Sequence, residues 1–269
     1  MKGEFTTIAR IIKKLGQSKL LYGGIGHDAA IIKLDGPKWL VATCDSLVED
    51  THFRRSLITP KSLGRKAACI NISDIAAVGG EPKFALVTLG LPVKTKIAFV
   101  DNFYDGLKEE LDKVGVIVVG GNLTRSKKII IDVTLIGWVA KEEVILRSGA
   151  KINDYILVTG RLGQAKVPQH RLREARILAK NKLATAMIDI SDGFSQDLGH
   201  LCQQSQVGAQ VFSNTLPSRG EDYELLFTAD SKNIDKIKKF LAPTMVTVVG
   251  KIKPQNFGYP VAKGWDHFR

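Results

Sequence analysis

The 269-residue sequence has only three cysteines, Cys44, Cys69 and Cys202, and no two of them form a CxxC pair. An odd, scattered set excludes a disulfide framework and a structural zinc site. It points to a reducing compartment, so a cytoplasmic location is expected. No run of about 18 apolar residues occurs, which excludes a membrane-spanning helix. The opening MKGEFTTIARIIKKLG lacks the pattern of a secretory leader: Phe5, Ile8, Ile11, Ile12 and Leu15 recur at helical spacing with charges between them. There is no short-period repeat. There is also no GxxxxGK[ST] phosphate loop and none of the protein-kinase loops, and the GGIG stretch lacks the third glycine and the preceding strand of a dinucleotide fold.

Charge is not scarce, but it is not concentrated. The net charge is +12, with 20 Lys/Arg against 14 Asp/Glu in residues 1–140 and 19 against 13 in residues 141–269. Each half is therefore +6, with no basic tail or stripe of the kind a polyanion needs. Neither nucleic acid nor a membrane is expected as a partner; an evenly basic surface suits phosphorylated small molecules. At 44% hydrophobic and 25% charged, the chain is long enough to bury a large core.

After the first helix, AAIIKL and KWLVATCDSLV have the β-branched, apolar character of strands. PKSLGRKAACINISDIAAVGGEP follows with helical spacing and a Gly79-Gly80-Pro82 stop. FALVTLGLPV predicts a strand, KIAFVDNFYDGLKEELDKVG a long amphipathic helix, and VIVVGG and KKIIIDVTLIGWVA two further strands. The first half is thus a sheet with helices on one face. KEEVILRSGAKINDY marks a boundary near residue 141, after which strands and helices alternate again. An α+β protein of two comparable halves is expected.

Several carboxylates stand beside glycines or at strand ends: Asp28 in GGIGHDAA (Gly23–Ala30), Asp45, Asp74, Asp189, Asp192, Glu221 and Asp222. Singly, each is explained as a turn or cap residue. Asp74 resists this, because it lies in an apolar helical stretch with Asn71 one turn earlier on the same face; a buried aspartate needs a cation or donors. Together the set suits Mg2+ shared with substrate phosphates.

In order along the chain, GEF, GIGHDAA, TCDSLVEDTHF, NISDIAAVGGEP, GGNLTR, RSGAK, VTGRLG, DISDGFSQDLGHL, GEDYELLF and GWDHF resemble the motifs of the thiamine-monophosphate kinases. These form a branch of the superfamily of aminoimidazole ribonucleotide (AIR) synthetase and selenophosphate synthetase. The resemblance spans nearly the whole chain. It implies a two-domain, AIR-synthase-like α+β fold, here residues 1–140 and 141–269, with a shortened C-terminal domain. It also implies a homodimer whose N-terminal sheets form a shared barrel, and transfer of the γ-phosphoryl group of ATP to thiamine monophosphate with Mg2+ in an interdomain cleft. By matching positions, Asp28, Asp45, Asp74 and Asp192 would hold the metal, and Asp28, Asp74, Asp192 and Arg125 would carry catalysis. Gly26, Thr43, Gly120, Gly121, Asn122, Thr124, Arg147 and Ser191 would bind nucleotide, while His52, Glu221, Asp222 and Trp265 would receive thiamine monophosphate. His52 is equally a hydrogen-bonded structural histidine.

The departures are specific. His27 replaces the first aspartate of GIGDDAA and Asn122 the aspartate of GGDTTR, so two negative charges are missing, and an imidazole nitrogen is a poor magnesium ligand. After VTGRLG the small-residue helix of the family is cut to QAK before VPQHRL, RLREAR lacks the family's prolines, the segment after NTLP is short, and Arg219 replaces a small residue. Three readings stand: a working, compact kinase; a nucleotide- or thiamine-phosphate-binding homologue with little catalysis; or an ATP-dependent relative acting on another small acceptor.

Overall fold

A computed structural model gives the fold and describes residues 3–16, 18–163, 168–212 and 220–259. Helix α1 (Glu4–Leu15) leaves Ile8, Ile11 and Leu15 of its apolar stripe exposed. Five strands then build the first sheet: β1 (Ala30–Ile32), β2 (Lys38–Val48), β3 (Glu81–Leu91), β4 (Ile117–Arg125) and β5 (Ile130–Ala140). Their order is β1-β2-β5-β3-β4, antiparallel except for the parallel pair β3–β4. That pair needs a crossover, which helix α3 (Ile97–Asp112) supplies.

The alternation along β5 decides which face is covered. Ile131, Val133, Leu135 and Val139 are buried, while Ile130, Asp132, Thr134, Ile136 and Trp138 lie on the other face. Helix α2 (Pro60–Ala77) covers the first face. Among the described residues no helix covers the opposite face, and Phe84, Leu86 and Ile130 are each more than a third exposed there. Every residue of edge strand β4 is exposed, including Ile117, Val118, Val119 and Leu123.

Helix α2 starts at Thr59, whose hydroxyl accepts from Ser62 N at 3.1 Å, with Pro60 at the first helical position where no donor is needed. It ends where Gly79, at φ 76°, turns the chain into β3. Almost its whole interior is buried, because it packs on both sheets and on other helices. Its approach to α3 is backbone-close. A Cβ on Gly64 would lie 2.0 Å from the Phe103 carbonyl, and one on Gly106 would lie 1.8 Å from that of Lys61. Glycine at both positions is what lets the helices touch.

The second sheet comprises β6 (Tyr155–Thr159), β7 (Ala186–Asp189), β8 (Gly208–Val211), β9 (Leu225–Ala229) and β10 (Val246–Lys253), in the order β7-β9-β6-β10-β8. Helices α4 (Leu172–Lys180), α5 (Phe194–Ser205) and α6 (Ile234–Leu241) accompany it. Leu157, Met187, Leu225 and Phe227 of this sheet belong to the same apolar cluster as Ile72, Ile75, Val133 and Leu135. The two sheets therefore share one core, with α2 between them.

Candidate active site

A cleft of about 470 Å³ opens where β2, α2, the Arg147 segment, the end of β7 and the loop before β9 meet. Two α2 side chains one turn apart reach alternate residues of β2. The Asn71 side chain accepts from Asp45 N at 3.2 Å, and Asp74 accepts from the Thr43 hydroxyl at 2.6 Å. The helical spacing of Asn71 and Asp74 thus meets the two-residue period of the strand, which places Thr43 and Asp45 on one face.

One carboxylate oxygen from each of Asp28, Asp74 and Asp189 lies within 4.8 Å of the others. Asp189 ends β7 and accepts from the Ser73 hydroxyl of α2 at 2.6 Å. Burial pushes Asp74 well above the usual carboxylate range, and the charges of Asp45, Asp189 and Asp28 push it further. Asp189 is raised likewise, by burial and then by Asp28. Crowded, buried, all-oxygen donors that resist ionisation are the chemistry a hard divalent cation relieves, so these residues fit Mg2+.

Arg147 grips Asp28 with two bonds, Nε at 3.1 Å and Nη2 at 2.7 Å, and donates to the Gly26 carbonyl at 3.2 Å. Burial works against the guanidinium charge, but Asp28, together with Asp189 and Asp197, outweighs it and holds the Arg147 pKa above its ordinary value. His27 stands outside the carboxylate triad. Its Nδ1 accepts from Arg147 N at 3.4 Å, and burial lowers its pKa. The histidine therefore props the arginine's backbone and remains neutral.

Behind the SDG loop, Asp192, Asp197 and His200 form a second close group. Asp197 caps the start of α5 by accepting from Asp192 N and Gly193 N at 3.2 and 3.0 Å. The loop before β9 is tied to the same region, with Glu221 N donating to Ser191 O and Tyr223 N to Ile190 O. Glu221 and Tyr223 hold φ values of 56° and 51°, a strained conformation for residues with side chains.

Of the residues expected from sequence, Asp28, Thr43, Asp45, His52, Asp74, Arg147, Ser191, Asp192 and Glu221 line the cleft, and Gly26 touches Arg147 at its rim. His52 is also hydrogen-bonded structurally, its Nδ1 accepting from Val48 N at 2.9 Å. Asp222 is buried elsewhere and accepts from Gly163 N. Gly120, Gly121, Asn122, Thr124 and Arg125 lie on β4, three strands from β2, a separation of about 14 Å at sheet spacing. Trp265 and Arg219 lie outside the described residues. Asp189, which the sequence offers only as one carboxylate among several, completes the close group with Asp28 and Asp74.

Residues 26–139 match the family AIR synthase related protein, N-terminal domain, and residues 115–234 match AIR synthase related protein, C-terminal domain. A thiamine-monophosphate kinase of Aquifex aeolicus is 34% identical, with 99% of this chain and 98% of that protein covered. One from Buchnera aphidicola is 32% identical over 323 aligned positions, covering 98% of each. That alignment is longer than this chain, so at least 54 of its positions (323 less 269) face a gap here. The solved structure of AaThiL complexed with AMPPCP and TMP superposes with a TM-score of 0.84 at 31% identity, covering 99% of this chain and 97% of that one. Full-length identity above 30%, with the fold in common, shows that this chain belongs to the thiamine-monophosphate kinase family.

Proposed function

We propose that the protein transfers the γ-phosphoryl group of ATP to thiamine monophosphate, giving thiamine diphosphate and ADP. The observation that carries this reading is the convergence of Asp28, Asp74 and Asp189 in one cleft of a chain at least 30% identical to thiamine-monophosphate kinases over its length. The acceptor is a phosphate monoester, largely dianionic near pH 7 because its second pKa is about 6, so no general base is required. The difficulty is the approach of two anions, and positioning with charge neutralisation meets it.

Asp28, Asp74 and Asp189 would hold Mg2+, with Asp45 and Asp192 facing the same space. The bound cation would supply charge neutralisation and a template for the phosphate chains. Arg147 orients Asp28, Thr43 orients Asp74 and Ser73 orients Asp189. Ser191 would receive the nucleotide, and His52 and Glu221, which line the same cleft, would receive the acceptor. The uncovered sheet face and the apolar edge of β4 support a homodimer joined through the N-terminal sheets. Asn122, Thr124 and Arg125 would then act at the cleft of the second copy. Division into domains 1–140 and 141–269 is part of this reading. Three free thiols fit a cytoplasmic setting.

The test is formation of thiamine diphosphate from ATP, Mg2+ and thiamine monophosphate by the purified protein. Product that depends on both Mg2+ and the acceptor supports the reading. Its absence, with ligand binding retained and activity restored by His27→Asp/Asn122→Asp, would favour a binding homologue. That second reading draws on the two lost carboxylates. ATP turnover without thiamine specificity would indicate a different acceptor.

A further inference from the structure

Lys66, on the buried part of α2, has no part in the reaction as described. Its side chain is 9% exposed, and its ammonium donates to Glu221 Oε1 at 2.6 Å and to the His52 carbonyl at 3.2 Å. The Glu221 side chain is 53% exposed. The cation is thus the fixed end of the pair, and the carboxylate is the end that would otherwise sweep through solvent.

Both partners line the cleft, and they come from parts of the chain more than 150 residues apart. His52 follows β2, whereas Glu221 precedes β9. Glu221 also occupies a left-handed backbone conformation, where glycine would be at ease. A strained residue whose carboxylate is aimed by a buried ammonium is one whose direction matters. The acceptor of the proposed reaction is anionic at its phosphate. At its other end it carries a cationic thiazolium and an aminopyrimidine donor, and a fixed carboxylate suits only that second end.

We propose that Lys66 is a positioning residue that fixes the Glu221 carboxylate and the His52 segment against the organic end of thiamine monophosphate, so that it sets affinity for the acceptor and not for ATP. The inference rests on the function proposed above. Without Lys66, the carboxylate must be ordered at the expense of each binding event.

The experiment is steady-state kinetics on Lys66→Met, which keeps the apolar stem, with Lys66→Arg and Glu221→Gln alongside. In Lys66→Met the KM for thiamine monophosphate rises about tenfold, as expected for one charge-assisted contact, while the KM for ATP stays within about twofold and kcat changes less than KM. Lys66→Arg recovers part of the loss. In a Glu221→Gln background, Lys66→Met costs less than it does alone, because the larger part of its effect runs through that carboxylate. Equal shifts in both KM values, additive losses in the double variant, or a fall confined to kcat and melting temperature would each overturn the proposal. The wild-type control separates the two claims. If the unmodified protein forms no thiamine diphosphate, the function reading falls and this inference with it. Product in wild type with an unmoved acceptor KM in Lys66→Met overturns the inference alone.

Discussion

Asp189 and His200 show two ways in which burial at the cleft acts on a single side chain. Asp189→Asn leaves the Ser73 contact possible but removes one of three charges facing the cation. Activity should fall by roughly 100-fold, and a titration should show that more Mg2+ is needed for half-maximal rate. His200 is pushed down to about 4 by burial and by the Arg147 charge. Its folded pKa lies below the unfolded value, so its stabilising contribution is complete above pH 6.5 and is lost as pH falls toward 4. Between pH 7 and pH 5 this single group should cost about 2 kcal/mol, read as a difference in urea unfolding between wild type and His200→Gln. His27 and His170, also lowered by burial, act in the same direction. Asp74 and Asp189 act oppositely: with raised folded pKa values they weaken the metal-free fold as pH rises from the acid range. Many of these residues were legible in the sequence, since Asp28, Asp45, Asp74 and Arg147 sit in recognisable motifs. Asp189 was not singled out as a ligand because its meaning lies in the contact with Ser73, 116 residues earlier in the chain. His27 was read as a lost ligand; its support of the Arg147 backbone became visible only when residues 120 apart met.

Helix α2 is the element on which the cleft depends most. It brings Asn71, Ser73 and Asp74 to three separate partners and packs on α3 through paired glycines. Gly106→Ala should therefore be a test of the element and not only of the residue. Alanine gains about 1 kcal/mol of helix propensity, but a methyl group 1.8 Å from the Lys61 carbonyl forces the helices apart. Overpacking of this kind costs about 1–3 kcal/mol, so a net loss of stability is expected in urea unfolding. A fall in kcat should accompany it as Asp74 moves. The helices and strands of the first half were read well from periodicity, α2 and α3 among them. The glycine contact was not, because helical spacing records which face is apolar and not how near the neighbouring backbone lies.

At the scale of the whole molecule, strand β4 and the uncovered sheet face leave apolar surface that one copy cannot bury. Leu123→Glu should convert a dimer to a monomer in analytical ultracentrifugation. It should also abolish thiamine diphosphate formation if β4 serves the second copy's cleft. A subtler check mixes Arg125→Ala with Asp74→Asn: random reassortment of two inactive variants should restore about a quarter of wild-type activity if each cleft draws on both copies. A wild type that is monomeric and fully active would refute the assembly. The division into two sheets was legible from the change of pattern near residue 141. That they share one core was not, since nothing local in a sequence says that two sheets lean on the same helix.

That shared helix also limits how such a chain can change over time. Relatives carry at least 54 aligned positions that this chain lacks, yet helix α2 is whole here, with Thr59 at its cap, Gly64 against α3 and Asp74 at the cleft. Peripheral segments can be pruned one after another, because each serves only its own neighbourhood. Helix α2 is wall to one sheet, wall to the other and floor to the cleft, so it offers evolution no partial loss. A gene fragment encoding either half alone would inherit half a core and an incomplete carboxylate triad.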